Sequence, residues 1–438
     1  MAILYSMDEY KKVAAQLVAF KSVSADPTYK GDCRKTAAFL RDLLLSYGFD
    51  AKAIEGYGNP IVFGTYTVDP KLETCLIYGH YDVQPAAKED GWGTDPFVMT
   101  EKDGRLYGRG IMDDKCQFLI HILTIGKLIK EKKLGYNIKF LFEGNEEEGS
   151  PRIEQFVKDH KNQLSCDFVL LSDGELTRGK PTLELGNRGI LNWKLTLKTA
   201  KTDIHSGIFG GAAPNAVQEL AKFVESLLDN NNRITIEGFY DAVDPVDEEY
   251  VLPFDFEEYK VNSGTKAILT EPEYDFYKQT GLRPAMTVTG MYGGYIEEGH
   301  KTSIPAVATV KINFRLVKSQ EPKEIAKLVE KHLIKHIPEY VDYEVSFDEF
   351  AGPSKTDRTN EYVQKAKKVL EKIFDHKAYY RYVGGTEPVI LYFQQILKKP
   401  IVSVPFANED GFMHGANENF KVENIDKGLA FSEQFFGK

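Results

Sequence analysis

Apolar residues recur along this chain with two different periods, and the switch between them divides it. Leu76-Ile77-Tyr78, Ile138 to Phe142, Phe168 to Leu171 and, much later, Ile401 to Phe406 are short, nearly continuous apolar runs. Such runs, separated by helical stretches, predict buried strands of a mostly parallel sheet. Helical spacing marks residues 8 to 20 (Val13, Leu17, Phe20) and 33 to 47 (Ala37, Phe39, Leu40, Leu43, Leu44). Phe118-Leu119-Ile120, Ile122-Leu123 and Ile125 make a helix apolar on almost every side, which must be buried.

After Asp173 the rhythm changes. Leu191, Trp193, Leu195 and Leu197 alternate with polar residues, the mark of a half-exposed strand. A helix follows from Pro214, then alternating strands at about 285 to 291 and 306 to 316, a helix with Ile325, Leu328, Val329 and Ile334, and a strand near Tyr343 to Phe350. Strand, helix, strand, strand, helix, strand is the order of a ferredoxin-like layer. From Ala351 the buried pattern resumes, with a helix carrying Tyr362, Ala366, Val369, Leu370 and Ile373, then buried runs at Val389 to Phe393 and at Ile401. The prediction is an α/β protein. One domain, residues 1–186 and 352–438, holds a mostly parallel sheet sandwiched by helices, and an inserted ferredoxin-like α+β domain occupies 187–351. Residues 232–283, rich in Asp, Glu, Tyr and Pro, read as an excursion of the insert.

Composition adds exclusions. At 438 residues the chain exceeds what one hydrophobic core usually supports, in keeping with two domains. Acids outnumber bases 65 to 55 and the bases are scattered, so no nucleic-acid footprint is present. Met1 to Leu4 carry no basic region leading into an apolar stretch, and no apolar segment approaches ~20 residues, so a soluble cytoplasmic protein without membrane contact is expected. Cys33, Cys75, Cys116 and Cys166 lie far apart without a C-x-x-C pair and read as reduced, packed thiols.

The chemistry gathers where the apolar runs end. The first run stops at His80 and Asp82, the second at Glu143 with Glu146-Glu147 just beyond, the third at Asp173, and the fourth leads through a loop to His414. Gly108 to Lys115, with Asp113-Asp114, forms an acidic turn before the buried helix. Parallel sheets place their sites at the carboxyl ends of their strands, and His, Asp and Glu converging there are ligands for a pair of divalent cations. Alone, Glu146-Glu147-Glu148 would read as a solvated acidic turn; after a buried strand and before Gly-Ser it reads as a site. His332 and His336 stand four apart but lack the Glu of H-E-x-x-H, and are assigned to a wet helix face. His121 and His160 are read as structural. No phosphate loop, Gly-x-Ser-x-Gly elbow or cysteine nucleophile competes.

Taken together, these segments resemble the M20 family of metallopeptidases and deacylases, particularly its cytosolic dipeptidase and carnosinase-like branch. The resemblance rests on Gly79-His80-Tyr81-Asp82-Val83-Gln84-Pro85, Trp92 with Asp95-Pro96-Phe97, Tyr107 to Gly110 with Asp113-Asp114-Lys115, Glu143 to Ser150, Leu171-Ser172-Asp173, Arg188-Gly189, His205-Ser206-Gly207, Thr302 with Ile304-Pro305, Arg315-Leu316-Val317, Gly384-Gly385-Thr386 and His414. It implies that His80, Asp113 and Asp173 hold one metal ion and that Asp113, Glu147 and His414 hold a second, with Asp113 bridging; Glu148 for Glu147 and Glu175 for Asp173 are the alternative registers. The ions implied are Zn²⁺ first, with Mn²⁺ or Co²⁺ as alternatives. Asp82 would orient His80, Glu146 would act as general base, and a cis peptide is implied at Asp113-Asp114. The insert would be a lid and dimerisation domain whose His205 reaches the partner's site, making a homodimer the active form. Arg315 would pair with a substrate carboxylate, with Thr302, Gly385 and Thr386 adding polar contacts. Two departures stand out: Cys116 replaces a Gly frequent in relatives, and Thr386 replaces Ser.

The activity implied is hydrolysis of the amide bond of a small peptide with a free carboxylate, a dipeptidase first, since Asp rather than Glu at position 173 leans that way. An N-acyl amino acid deacylase, a desuccinylase or a carboxypeptidase of the same family is the alternative. A catalytically inactive binding protein is more remote, because every expected position is filled.

Overall fold

A computed structural model describes residues 7–246 and 250–438; the Met1 to Leu4 segment and part of the 232–283 excursion lie outside the described residues. The chain divides into two compact units: Met1–Leu185, Thr356–Arg381 and Glu387–Lys438 in one, Gly186–Lys355 and Tyr382–Thr386 in the other. Against the expected division, residues 352–355 and 382–386 pack with the second unit.

The first unit is α/β. Its sheet comprises β1 (Asp50–Ile54), β2 (Ile61–Tyr66), β3 (Thr74–His80), β4 (Asn137–Glu143), β5 (Phe168–Leu171) and β6 (Thr182–Asn187), together with two strands from the end of the chain. The second unit carries β7 (Gly189–Lys198), β8 (Ala285–Gly293), β9 (Val307–Leu316) and β10 (Asp342–Ala351), after which β11 (Tyr379–Val383) and β12 (Ile401–Ser403) return to the first sheet. The large sheet runs β1-β2-β4-β3-β5-β12-β6-β11. Its four central strands, β4, β3, β5 and β12, are parallel, and the flanking pairs β1·β2, β2·β4 and β12·β6 are antiparallel.

Both faces of the centre are covered, which is why its strands are apolar at successive positions. On one face Leu76, Tyr78, Leu141, Val169 and Leu171 pack with Phe156 and Val157 and with Val389, Ile390 and Phe393. On the other, Phe142 packs at a tilt against Phe118 of the helix Lys115–Lys130, ring centroids 4.5 Å apart. That helix is buried along almost its full length, as its all-round apolarity predicts, and Val422–Phe436 packs on it. Gly79 allows the approach: a Cβ there would come within 2.8 Å of Asp114 Oδ2 and Phe118 Cβ.

Two expectations change. Val389 to Phe393 is helical, spanning Pro388–Tyr392 and entering a π turn at Phe393–Leu397, and the strand beside it is β11, Tyr379–Val383. A short apolar run carries no period to separate buried strand from buried helix, and Pro388 at the first helical position decides for helix. His332 is buried rather than wet, with Nε2 3.2 Å from Ser226 Oγ; only its neighbour His336 is exposed.

The second unit has the split order read from the sequence: β7, Ala216–Glu225, β8, β9, Pro322–His336, β10. Its antiparallel sheet runs β8-β9-β7-β10, a ferredoxin-like layer. One face is closed by both helices over Leu191, Trp193, Leu195, Leu197, Val310, Ile312 and Phe314, the residues that alternate in sequence.

The four cysteines are free and buried, and burial pushes the thiols of Cys33 and Cys166 up to about 12. Among the described residues no helix is long and apolar enough to cross a membrane.

Candidate metal centre

The parallel strands deliver their ends to one rim. β3 ends on His80, whose Nε2 lies 2.9 Å from Asp113 Oδ1 and 3.4 Å from Asp173 Oδ2, just past β5. The other oxygen of Asp113 is 2.8 Å from His414 Nε2, and that nitrogen is 3.3 Å from Glu147 Oε2. Asp113 therefore reaches one histidine with each oxygen. Two groups of donor atoms lie within 4.8 Å of one another: His80, Asp114 and Asp173, and Asp113, Glu147 and His414. Asp114 was not expected in the first group; its Oδ2 takes the His80 backbone N–H at 3.3 Å, while Asp113, with one oxygen on each histidine, is the carboxylate placed for sharing. The Asp113–Asp114 peptide is cis, as the resemblance implies.

The registers separate by contact. Glu147 Oε2 accepts from the Gln84 side-chain amide at 2.7 Å while facing His414, whereas Glu148 is turned to Asn145 at 2.6 Å. Glu175 lies beyond the rim, where its short strand pairs with Ala407. Asp82 does more than expected. Its backbone carbonyl is 3.1 Å from His80 Nδ1, and its two carboxylate oxygens accept the N–H groups of Glu146 and Glu147, each at 3.1 Å. One residue thus sets the imidazole and the single turn Glu146–Glu148.

The electrostatics describe a site built for cations. Burial drives the His80 pKa down, but Asp113, Asp173 and Asp82 together hold it well above the usual histidine range. His414 is raised to about 10 by Asp113 and Glu147. Asp173 is raised chiefly by burial. Burial also raises Glu146 well above the carboxylate range; His80 opposes this, and Asp173, Asp113 and Asp82 add to it. Two dications about 4 Å apart repel by roughly 16 kcal/mol at an effective dielectric constant of about 20. Asp113, placed between the two histidines, would be the anion that offsets this, and three carboxylates with two imidazoles fit Zn²⁺, Mn²⁺ or Co²⁺.

Sequence reading missed the residues that hold these loops. Glu418, fully buried, accepts Arg109 Nη1 at 2.6 Å and the Gly110 amide at 3.0 Å on one oxygen, and the Met112 and Asp113 amides at 2.9 and 3.3 Å on the other. Arg109 Nη2 donates to the carbonyls of His414 and Gly415 at 3.0 and 3.2 Å. The pair clasps the Asp113 turn to the His414 loop, where His414 itself has φ of 60°. Gln117 adds a second staple: it donates to the carbonyls of Met112 and Gly174, at 2.7 and 3.1 Å, and accepts the Phe406 amide at 2.8 Å. His121 is structural as expected, its Nε2 2.8 Å from Ser172 Oγ, with burial lowering its pKa to about 3.

The remaining predicted residues lie in the second unit. Arg315 Nη1 donates to Thr386 Oγ1 at 2.8 Å, and that hydroxyl donates to the Arg188 carbonyl at 2.6 Å, so Thr386 positions the guanidinium and Gly385 precedes it in the same turn. His205 is exposed and pairs with Ser303 in a two-strand ladder, and the carbonyl of Thr302 accepts the Ser206 amide at 3.1 Å. His205 Nδ1 accepts the Gly207 N–H at 3.0 Å, which in the neutral ring leaves the proton on Nε2 as a donor.

A strand end, a turn and a loop that bring two histidines onto one shared carboxylate make the kind of site a metal-dependent hydrolase uses. The sequence pattern of peptidase family M20/M25/M40 matches residues 76–438, and the chain belongs to that family. It is 32% identical to the Cys-Gly metallodipeptidase of Candida albicans over 94% of this chain and 90% of the relative. It is 29% identical to the Beta-Ala-His dipeptidase of Rattus norvegicus over 98% of this chain and 92% of that protein. The crystal structure of an M20 family metallo-carboxypeptidase from Sulfolobus solfataricus superposes with a TM-score of 0.86 at 30% identity, covering 98% of each chain.

Proposed function

We propose that this protein is a dinuclear metal dipeptidase. The observation that carries the reading is Asp113, one oxygen on His80 and the other on His414, with Asp173 and Glu147 completing the two sets. His80, Asp113 and Asp173 would hold one ion, Asp113, Glu147 and His414 the other, with Zn²⁺ ahead of Mn²⁺ and Co²⁺. Such ions, when bound, polarise the scissile carbonyl and lower the pKa of the attacking water to about 7. Glu146 takes the proton of that water and returns it to the leaving nitrogen. Asp82 orients His80 and the turn that carries the base. Arg315, preset by Thr386, binds the free carboxylate of the substrate through its guanidinium fork; Thr302 and Gly385 add polar contacts.

The dipeptidase names of the relatives support this choice of substrate. The carboxypeptidase name of the structural relative supports a second reading, removal of one C-terminal residue from longer chains. Metal-reconstituted protein incubated with dipeptides, tripeptides and N-acyl amino acids, with products identified by mass spectrometry, separates the two. Free amino acids from dipeptides are the expected result; cleavage of tripeptides or N-acyl substrates in preference overturns the dipeptidase reading.

The second unit serves as the lid and dimerisation domain, and His205 acts on the scissile carbonyl in the partner's site through its Nε2 proton. Ile208 and Phe209 beside it are 72% and 45% exposed, apolar surface suited to a second copy. Mixing a His205→Asn variant with a Glu146→Gln variant is expected to restore part of the activity each lacks. No recovery despite demonstrated subunit exchange contradicts the trans role. Four free, buried cysteines agree with a reducing cytoplasm, which cell fractionation tests.

A further inference from the structure

We infer that Glu387 is the subsite for the free α-ammonium group of the substrate, and that it selects dipeptides over N-acylated or longer substrates. The inference rests on the hydrolase reading proposed above and adds what that reading lacks, a group that recognises the uncapped end.

Glu387 stands at the cap of the helix Pro388–Tyr392, yet its side chain caps nothing. A short Asp, Asn, Ser or Thr side chain in that position would accept a first-turn N–H; the longer Glu387 side chain does not. Instead its Oε1 is shut off from water and takes no hydrogen bond, and among the described residues no lysine or arginine pairs with it. Its place is fixed by packing. Val389 and Ile390 lie in one cluster with Leu76 and Tyr78 of β3 and Leu171 of β5, the strands that lead directly to His80 and Asp173. Burial, and after it Asp173, Glu146 and Glu184, raise its pKa well above the usual carboxylate range, with His80 opposing. Glu387 thus opens a helix packed on the strands that lead to two proposed metal ligands.

The chemistry of a dipeptide matches that place. Its ammonium nitrogen is two bonds from the scissile carbonyl carbon, so a group recognising it must neighbour both the base and the ligands. A carboxylate oxygen shut off from water without a partner is costly, and an entering ammonium brings the opposite charge together with N–H donors. An N-acetyl group, or the amide nitrogen of a longer peptide, brings no charge and leaves the acid unpaired. Hydrogen bonds to charged groups contribute about 1.5–3 kcal/mol, or roughly 10- to 100-fold in discrimination.

The test compares kcat/KM for alanyl-glycine and N-acetyl-alanyl-glycine on the metal-loaded protein, the Glu387→Gln variant and the Glu387→Asp variant, with metal content and Tm measured on each. The expected result is a preference of the parent for the free amine, reduced about tenfold or more by Glu387→Gln and partly retained by Glu387→Asp, with metal content unchanged. A parent that prefers the acetylated substrate, a Gln variant with unaltered preference, or parallel losses on both substrates overturns the assignment. Loss of metal in the Gln variant does so as well, since Glu387 would then belong to the ligand set. A parent that cleaves neither substrate strikes the hydrolase reading itself and takes this inference with it.

Discussion

Replacing Glu146 by Gln is expected to lower turnover by about 10²- to 10⁴-fold while leaving metal content and folding as in the parent. Gln matches Glu in shape but cannot accept and return a proton. The side chain projects from the turn Glu146–Glu148, whose first two amides are anchored on Asp82 at 3.1 Å each, so the turn does not depend on the Glu146 carboxylate. Burial and the surrounding acids make that carboxyl more basic than an ordinary one, as suits a proton acceptor. Single-turnover kinetics with metal analysis decide the matter. Unchanged turnover removes Glu146 from the base role, and a parallel loss of metal would make it a ligand.

The second large effect concerns a residue that touches no reacting atom. Glu418→Ala leaves the Arg109 guanidinium buried without its partner and removes the acceptor of the Gly110, Met112 and Asp113 amides. Breaking a buried pair from one side costs about 3–5 kcal/mol of stability, and losing the support behind a ligand typically weakens metal binding 10- to 100-fold. Replacing both partners, as in Arg109→Met with Glu418→Leu, distinguishes the two effects. Stability should recover in large part, because no charge remains buried alone. Metal affinity should not, because the amides before Asp113 still lack their acceptor and the His414 loop its guanidinium. Denaturation of the metal-free variants and competition with a chelator provide the two readouts; recovery of both together would make Glu418 a stability element and nothing more.

What was legible in the sequence follows from what each residue's neighbours are. Leu76 to Tyr78 and Phe168 to Leu171 announce themselves because both faces of a central parallel strand are buried, and the inserted layer does so because Leu191, Trp193, Leu195 and Leu197 have one wet face. The strand Tyr379–Val383 gave no such signal: it is the last strand of the sheet and is only partly buried at every position. The donors at the rim were readable since each follows a strand or a turn with its own pattern. Glu418 was not, because it sits in the polar stretch Gly415-Ala416-Asn417-Glu418-Asn419, and only three-dimensional contact with a turn some three hundred residues earlier reveals its burial. Asp82 was found as a support for His80, but its hold on the Glu146–Glu148 turn depends on a loop closure that sequence does not encode locally.

The measurement that tests the account most directly is metal stoichiometry by elemental analysis on the parent and on Asp113→Asn. Two ions per chain in the parent, and loss of tight binding at both positions in the variant, is the predicted result, because one carboxylate serves both histidines. One ion in the parent, or two retained without Asp113, contradicts the shared-carboxylate centre on which the proposed chemistry depends.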